Sequence, residues 1–349
     1  MLKYSIKRIL LAFLTAFIIL TITFFLVKMC PTLKVVSPDK NVIYAFYRQQ
    51  VDLGYVVDKP EEHKELGELL TNGGPITLNG VSHYFYQKPI IQQYGIWLKR
   101  IFTEFDWGDS TVIEPGTPAT TIIFARLPVS FSINIISVVL SVPLGIALGI
   151  LAGLKKNTWL DHTISTLVMV FISIPSFVII IFLLYWLGHN GPLPTMWPTP
   201  DASGGTKAAA YIIPVLSLSF GSVCGYTRFV RAELCEVMSS EYLLLARTKG
   251  LTKNQAIRRH ALRNAFVPIL PSILAEFIGV FSGSMILEKI YNIPGIGDLY
   301  IKALTGNRDY NVLLVDMAIV TIVGLLAGII LDLSYGFIDP RIRMGEKNA

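Results

Sequence analysis

The stretch that decides the fold covers residues 127–154 and reads LPVSFSINIISVVLSVPLGIALGILAGL. No charged side chain occurs anywhere in it. A helix of about 20 apolar residues is long enough to cross the ~30 Å hydrocarbon core of a bilayer. The stretch exceeds that length, and it therefore predicts a membrane-spanning helix.

Further apolar stretches are each long enough, or nearly so with their flanks, to span a bilayer. They cover residues 9–27, 164–187, 211–226, 267–287 and 312–331. The first follows a short basic head, but Lys28-Met29-Cys30 after it offers no small-residue cleavage site, so we expect an uncleaved helix. The sequence predicts an all-α membrane protein with six transmembrane helices.

The composition of the whole chain agrees with this fold class. Of 349 residues, 52% are hydrophobic and 15% are charged, and the mean hydropathy is +0.56. Soluble proteins carry about 25% charged residues. Disorder is excluded, and an ordinary soluble enzyme is disfavoured. The three cysteines are far apart and form no CxxC pair, so neither a disulfide framework nor a zinc site is predicted.

The distribution of charge predicts the orientation of the chain. Six spans put both termini on one side, and on that side basic residues outnumber acidic ones, whereas the two are balanced on the other side. By the positive-inside rule, both termini are expected in the cytoplasm of a multi-pass plasma-membrane protein. Residues 1–28 are then a head and first span, 29–118 an extracellular insertion, and 119–349 a five-helix core.

Turn and spacing signals refine this picture. An Asn79-Gly80 pair within residues 76–84 predicts a β-hairpin in the insertion. Glycines that recur every four residues predict closely packed helices. These are Gly145, Gly149 and Gly153, and the pair Gly324 and Gly328. Prolines are expected to interrupt the spans, and they are Pro128, Pro143, Pro175, Pro214 and Pro271.

The longest cytoplasmic loop, residues 228–265, contains defined helix signals. Ser240 is expected to cap a helix that opens with Glu241, and Gly250 is a natural C-terminal stop. Thr252 and Gln255 have capping-box spacing, so a second helix is expected at once, toward Arg263. A DNA-reading helix-turn-helix is disfavoured because the loop is held between two spans. If the loop only fixed the membrane topology, that role would explain its arginines. It would not explain the helix caps within the loop.

The loop sequence resembles the cytoplasmic "EAA" loop of ABC-importer permeases of the peptide type. The residues that carry the resemblance are Glu241 to Leu251 and Arg259 to Ala265. Other motifs agree with it, and they are Arg126 to Ser130, Trp159 to Asp161, Ile174 to Phe177, Pro294 to Gly297, Asn307 to Tyr310 and Asp339 to Arg343. The likeness covers nearly the whole chain. The chain resembles the first of the two permeases of an oligopeptide or dipeptide importer.

The resemblance implies a type I ABC-importer permease fold and a set of partners. These would be a second homologous permease, two ATPase subunits that bind ATP and Mg²⁺, and an extracellular binding protein that delivers a peptide. The loop would dock a short coupling helix on an ATPase. The coupling residues would be Glu241, Tyr242, Ala246, Arg247, Lys249, Gly250 and Leu251.

Two departures from the family pattern concern the loop. The motif has a glutamate six residues before its glycine, where this chain has Leu244, and Glu241 is the nearest acid that could replace it. The closing proline of the motif is Arg263 here. The stretch 61–86 also resembles an addition to the usual outer segment, with no function assigned.

Motifs for catalysis are absent from the sequence. No Gly-Lys dipeptide occurs, so the phosphate-binding loop GxxxxGK[ST] is missing. There is no HExxH motif, and the five histidines are scattered. We therefore expect a transport subunit rather than an enzyme, with no catalytic, cofactor or metal site of its own and no nucleic-acid partner.

Charges within the spans are candidates for the translocation path. An ionised group at the bilayer centre costs several kcal/mol, so it is expected to face water or a partner. The candidates are Glu276, Asp316 and Arg126. For Glu276, an interhelical hydrogen bond of structural value is the open alternative.

Rival functions remain open at this point. Nickel is the alternative cargo, although no metal-ligand cluster favours it. An ion-driven secondary transporter would more often show internal repeats, and none is evident between the two halves of the chain. A receptor or scaffold would bind without uptake.

Overall fold

The computed structural model describes residues 2–30, 38–71, 74–306 and 308–338, most of them helical. The helices are α1 Leu2–Met29, α2 Lys40–Asp52, α3 Ile90–Glu104, α4 Ala119–Leu154, α5 Trp159–Ile172, α6 Ser176–Leu183, α7 Gly204–Ala210, α8 Ile212–Met238, α9 Glu241–Thr248, α10 Lys253–Ala256, α11 Leu262–Phe266, α12 Leu270–Gly279, α13 Met285–Tyr291, α14 Ile296–Ile301 and α15 Tyr310–Ile338. The strands are β1 Val56–Lys59, β2 Ile76–Leu78 and β3 Val81–Gln87. π-Helical segments cover Leu184–His189, Ile257–Ala261 and Lys302–Gly306.

Long apolar helices dominate the described part of the chain. Four are long and apolar enough to cross a membrane: Ile6–Met29, Ala119–Leu154, Gly204–Met238 and Tyr310–Asp332. Two further helix pairs pass the same test but are bent, one by 97° and the other by 49°. The candidate spans therefore number four, or up to six if each bent pair crosses as one.

The prolines explain where helices break and where they do not. The stretch 164–187 was expected as one span, but it breaks before Pro175, because proline disfavours helical backbone in the residue that precedes it. The stretch 267–287 is also broken, with Pro271 in the first turn of α12. By contrast, Pro128 and Pro143 lie inside α4, which continues as a single helix, so the expected interruption there is wrong.

One compact unit comprises residues 1–12, 126–298 and 322–349. Within it α4 packs closely on α8, as the glycine spacing predicted. A β-carbon at Gly149 would lie 2.7 Å from Cβ of Val230, so only glycine permits this approach. The same prediction is wrong for Gly324 and Gly328, because no described atom of the chain lies within 4 Å of a β-carbon built at either.

The second compact unit comprises residues 13–125 and 299–321. It contains an antiparallel sheet in the order β1-β3-β2. The predicted hairpin is confirmed, because β2 and β3 are joined at Asn79 and Gly80, whose φ angles are 53° and 81°. Positive φ at both central residues is the mark of a type I′ turn. Tyr47, Val56, Ile76 and Phe85 form a core beneath the sheet.

A second core of this unit joins α1, α3, α4 and α15. It includes Phe24, Trp97, Ile123 and Leu313. Beside it, one carboxylate oxygen of Asp309 accepts hydrogen bonds from the Ser110 hydroxyl at 2.6 Å and from the backbone N–H groups of residues 111–113 at 3.0 Å each. Asp309 thereby fixes that loop at the start of α15. Its neighbour Asn307, and the predicted motif at residues 339–343, lie outside the described residues.

Candidate functional site

The predicted loop helix is present as α9, but its N-terminal cap differs from the expectation. Ser240 has the extended backbone of a cap, with φ −76° and ψ 146°. Its hydroxyl instead donates to the carbonyl of Val237 at 2.5 Å, near the end of α8. The predicted side-chain cap is therefore wrong, because the Ser240 hydroxyl donates to a carbonyl earlier in the chain instead of capping α9. Glu241 does lie in the first turn, where an acid interacts favourably with the helix dipole.

The C-terminal end of α9 confirms the stop predicted at Gly250. The N–H of Gly250 donates to the carbonyl of Arg247 at 3.0 Å, and the N–H of Leu251 donates to that of Ala246 at 3.4 Å. This pair of bonds is a Schellman motif. It requires a left-handed residue after the helix, and Gly250 has φ +94°. Glycine at this position therefore fixes the length of the helix.

A second helix follows at once, as predicted. The N–H of Gln255 donates to the Thr252 hydroxyl at 3.4 Å, and the N–H of Thr252 donates to the Gln255 side chain at 3.0 Å, which together form the expected capping box. The helix runs through α10, a π-helical turn and α11 to Phe266, somewhat past the predicted end at Arg263.

The helix α9 is attached to its neighbours by one buried side chain. Leu243 is buried against Leu234 of α8 and against Ala256 and Ile257 of the following helix. Ala246 on the same side is partly buried. Since side chains three or four residues apart share a helix face, this pattern holds one side of α9 against α8 and α10.

The remaining surface of α9 is exposed and includes three large apolar side chains. Tyr242, Leu244 and Leu245 are 41%, 62% and 56% exposed. They stand among exposed charged residues, which are Glu241, Arg247 and Lys249. Exposed apolar patches rimmed by polar residues are typical of protein interaction sites. The arrangement can dock a partner, and the coupling residues singled out from the sequence all lie in α9 or in the turn that ends it.

The three membrane charges singled out from the sequence lie in different parts of the chain. Glu276 of α12 is partly buried and lies close enough to Tyr226 of α8 to interact with it electrostatically, and the interhelical hydrogen bond considered above stays a prediction. Arg126 is a partly buried residue of α4 in the same unit. Asp316 of α15 is buried within the other unit.

An ion pair between the buried Asp161 and the partly buried Arg231, which the sequence analysis did not identify, joins α5 to α8. The Arg231 guanidinium donates to both carboxylate oxygens of Asp161, at 2.5 and 2.8 Å, and the N–H of Asn157 donates to Asp161 at 2.9 Å. A bidentate pair of this kind fixes the orientation of the two side chains as well as the distance between them. Asp161 was noted only as part of a family motif, and no signal along the chain identified Arg231 as its partner.

A second buried carboxylate was also missed. Glu288 of α13 accepts hydrogen bonds from the Ser130 hydroxyl at 2.8 Å and from the backbone N–H groups of Ser284 and Asp298 at 3.2 and 3.1 Å. Ser130 in turn accepts from the N–H of Ile296 at 2.9 Å. Two family motifs, 126–130 and 294–297, therefore meet at this carboxylate. The signal available in the sequence was an acid, Glu288, within the mainly apolar stretch before Pro294.

Among the described residues, no group of three or more His, Cys, Asp or Glu side chains could hold a metal ion.

Comparison with known proteins identifies relatives along the whole chain. The family model described as the binding-protein-dependent transport system inner membrane component matches residues 145–344. The dipeptide transport system permease protein DppB of Lactococcus lactis subsp. cremoris (strain MG1363) is 32% identical over 344 residues, which cover 99% of this chain and 100% of that protein. The oligopeptide transport system permease protein OppB of Haemophilus influenzae is 30% identical, with 98% and 100% covered.

A solved structure shares the fold of part of the chain. The chain superposes on a structure described as an amino acid ABC transporter with histidines, with a TM-score of 0.50 and 19% sequence identity. The match covers 62% of this chain and 94% of the other. At that identity the likeness bears on the fold alone. The family model matches more than half of this chain. The chain therefore belongs to the family of binding-protein-dependent transport system inner membrane components.

Proposed function

We propose that the chain is a transmembrane permease subunit of an ATP-driven importer of oligopeptides or dipeptides. The observation that carries the proposal is the exposed apolar side of α9, on a chain of a family whose members work in binding-protein-dependent transport. The relatives reported above are named dipeptide or oligopeptide permeases, so peptide is preferred to nickel as cargo.

The proposed architecture has six spans, with each bent pair crossing as one, and both termini in the cytoplasm. Residues 29–118 then lie outside, and α9 faces the cytoplasm. The partners are a second homologous permease, two ATPase subunits and an extracellular binding protein. ATP and Mg²⁺ bind to the ATPases, because this sequence lacks the phosphate-binding loop.

Coupling in this proposal starts at α9. An ATPase binds Tyr242, Leu244 and Leu245, together with the charged residues of the coupling set, and moves α9 when ATP closes the ATPase pair. The buried cluster that Leu243 shares with Leu234 carries the movement into α8. Leu234 lies against Gly153 of α4, where a β-carbon would be 3.0 Å from its Cδ2. Closely packed helices move together, so the movement reaches the spans.

The translocation path is proposed to involve Glu276, Asp316 and Arg126. A buried charge within a membrane needs water or a partner, and the charged ends of a peptide favour a polar path. Tyr226 lies near Glu276 and is one candidate partner. The variant Glu276→Gln would distinguish the two roles, because unchanged peptide rate and selectivity would indicate a purely structural hydrogen bond.

The coupling proposal is tested with Leu245→Ser in the assembled transporter. Leu245 is exposed in the free chain, so the substitution should leave folding intact while it removes an apolar contact with the ATPase. We expect ATP-driven uptake to fall by roughly tenfold or more, as for the loss of a central interface residue. Peptide uptake into proteoliposomes and peptide-stimulated ATPase activity are the measurements.

The matched control is Leu66→Ser, which changes an exposed leucine outside α9 in the same way. It should leave uptake and ATPase activity at the wild-type level. Wild-type values for Leu245→Ser as well, with the ATPases still bound, would contradict the role of α9.

A further inference from the structure

The helix α3 packs beside the C-terminal end of α1, within the unit formed by residues 13–125 and 299–321. The hydroxyls of Tyr94 and Thr21 form a hydrogen bond of 2.7 Å. The centre of the Tyr94 ring also lies 5.4 Å from the centre of the Phe24 ring. The helix α3 is therefore attached to the side of a helix that is long and apolar enough to cross a membrane.

The position of Thr21 along α1 sets the depth of this contact. The candidate span Ile6–Met29 has 24 residues, or about 36 Å of helix, whereas the hydrocarbon core of a bilayer is ~30 Å thick. If α1 stands along the membrane normal and the whole excess of about 6 Å projects beyond Met29, Thr21, about 12 Å back from Met29, still lies about 6 Å inside the core. A tyrosine side chain spans about that distance, so the backbone of α3 lies close to the boundary between hydrocarbon and headgroups.

The surface of α3 is divided into three strips along the helix. One strip is buried in the core shared with α1, α4 and α15, and it contains Trp97. The second strip is apolar, because Ile91 and Phe102 differ by only about 20° around the helix axis and are 65% and 74% exposed. The third strip is polar, with the exposed Gln92 and Thr103 each about 100° further round. The exposed surface therefore has an apolar side and a polar side.

A helix with this division of its surface fits the interface of a bilayer. Such a helix buries its apolar side by about 5–10 Å at the boundary between acyl chains and headgroups and leaves its polar side in water. The exposed Lys99 lies between the two strips, from where a long side chain can reach the headgroups. At the depth of α3, an exposed apolar strip contacts lipid unless another helix within the membrane covers it.

The aromatic residues around α3 agree with this depth. Trp97, Trp107, Tyr300 and Tyr310 belong to the same core as Tyr94. Tryptophan and tyrosine are enriched at the membrane–water interface, because they combine an apolar ring with a polar tip. The depth of Thr21 and the composition of this core therefore indicate the same level of the membrane.

We infer that α3 is an interfacial helix whose apolar strip, Ile91 and Phe102, is embedded in the lipid leaflet at the C-terminal end of α1. The strip contacts acyl chains and headgroups rather than another protein. The segment between α1 and α4 is then anchored to the membrane through α3 as well as at its two ends. The inference requires that α1 crosses the membrane, and it does not depend on the cargo or on the ATPases.

The test measures the depth of single nitroxide labels on the full-length chain in lipid nanodiscs with one copy in each disc. The native cysteines are first removed by Cys30→Ser, Cys224→Ala and Cys235→Ala, and a label is then attached in Ile91→Cys or Phe102→Cys. Electron paramagnetic resonance compares collisions of the label with O₂, which concentrates in lipid, and with a water-soluble nickel chelate. Collisions with O₂ should exceed those with the chelate several-fold at both positions.

The matched controls are Gln92→Cys and Thr103→Cys, each one residue further along the same helix, where collisions with the chelate should dominate. In the chain without substitutions, a phospholipid with a diazirine in its acyl chain should cross-link to Phe102 and not to Thr103. Dominant collisions with the chelate at Ile91 and Phe102 would show that the strip faces water. Few collisions with either reagent there would show that protein covers it. Either result would overturn the inference.

Discussion

The carboxylate of Glu288 joins the segment 284–298 to Ser130 of α4, which is far away along the chain. Its donors are the hydroxyl of Ser130 and the N–H groups of Ser284 and Asp298. A buried carboxylate is costly unless it is hydrogen-bonded, and three donors offset that cost. Gly295 passes directly over the cluster, where a β-carbon would overlap Ser130 Oγ and the Glu288 carboxylate. Only a residue without a side chain can close this loop.

The substitution Gly295→Ala should therefore destabilise the chain. The new methyl group must displace Ser130 or Glu288, and overpacking of a filled site costs about 1 to 3 kcal/mol. Loss of the buried hydrogen bonds adds to that cost. We expect a lower midpoint of thermal unfolding in detergent, measured by the fraction that elutes as a single species after heating.

The control for this prediction is Gly221→Ala in α8, where no atom lies within 4 Å of the added methyl group. Alanine also favours a helix over glycine, so the midpoint should stay the same or rise. Equal midpoints for Gly295→Ala and the wild type would show that the loop is not closed around Glu288.

At the scale of elements, α4 packs closely against α8 through three glycines. Gly145, Gly149 and Gly153 face Tyr226, Val230 and Leu234. The Thr227 hydroxyl lies 3.3 Å from the carbonyl of Gly145 and donates to it. In a bilayer, where lipid competes equally for apolar contacts, such close approach is the main source of helix association.

The substitution Gly149→Ile should separate these two helices. The isoleucine side chain would meet Val230 and the carbonyl of Thr227, so the helices must move apart by about the width of a methyl group. We expect a loss of thermal stability and, in the assembled transporter, weaker coupling of ATP hydrolysis to uptake. Gly328→Ile is the matched control, since the chain leaves that position open. Equal effects of the two variants would contradict the assigned packing.

Much of this element-scale picture could be predicted from sequence, and the exceptions have physical reasons. Glycine spacing marks a helix face that permits close approach, but it does not say which element covers that face, as Gly324 and Gly328 illustrate. Proline removes one N–H, yet α4 continues through Pro143 while the chain bends at Pro175. The hydroxyl of Ser240 could accept a hydrogen bond from an N–H of α9 or donate one to an earlier carbonyl. The local sequence could not rank these two bonds.

At the scale of the whole molecule, the sequence predicted the apolar helices and the loop helix because both depend on local periodicity and caps. It could not predict the pairs Asp161 with Arg231 or Asp309 with residues 110–113. Such contacts join segments far apart in the chain, and a single sequence contains no signal for long-range partners. The helix α9 was predictable from its caps and its family motif, whereas the exposure of Leu244 and Leu245 needed the fold.

We propose that this chain is a passive gate that depends on partner ATPases. The most direct measurement is accumulation of a labelled tripeptide in proteoliposomes against its concentration gradient. With the second permease, the ATPases, the binding protein and ATP present, the tripeptide should accumulate above its external concentration, and without ATP it should not. The chain reconstituted alone should give no accumulation. Uphill accumulation by the chain alone, or by the full assembly without ATP, would contradict the account.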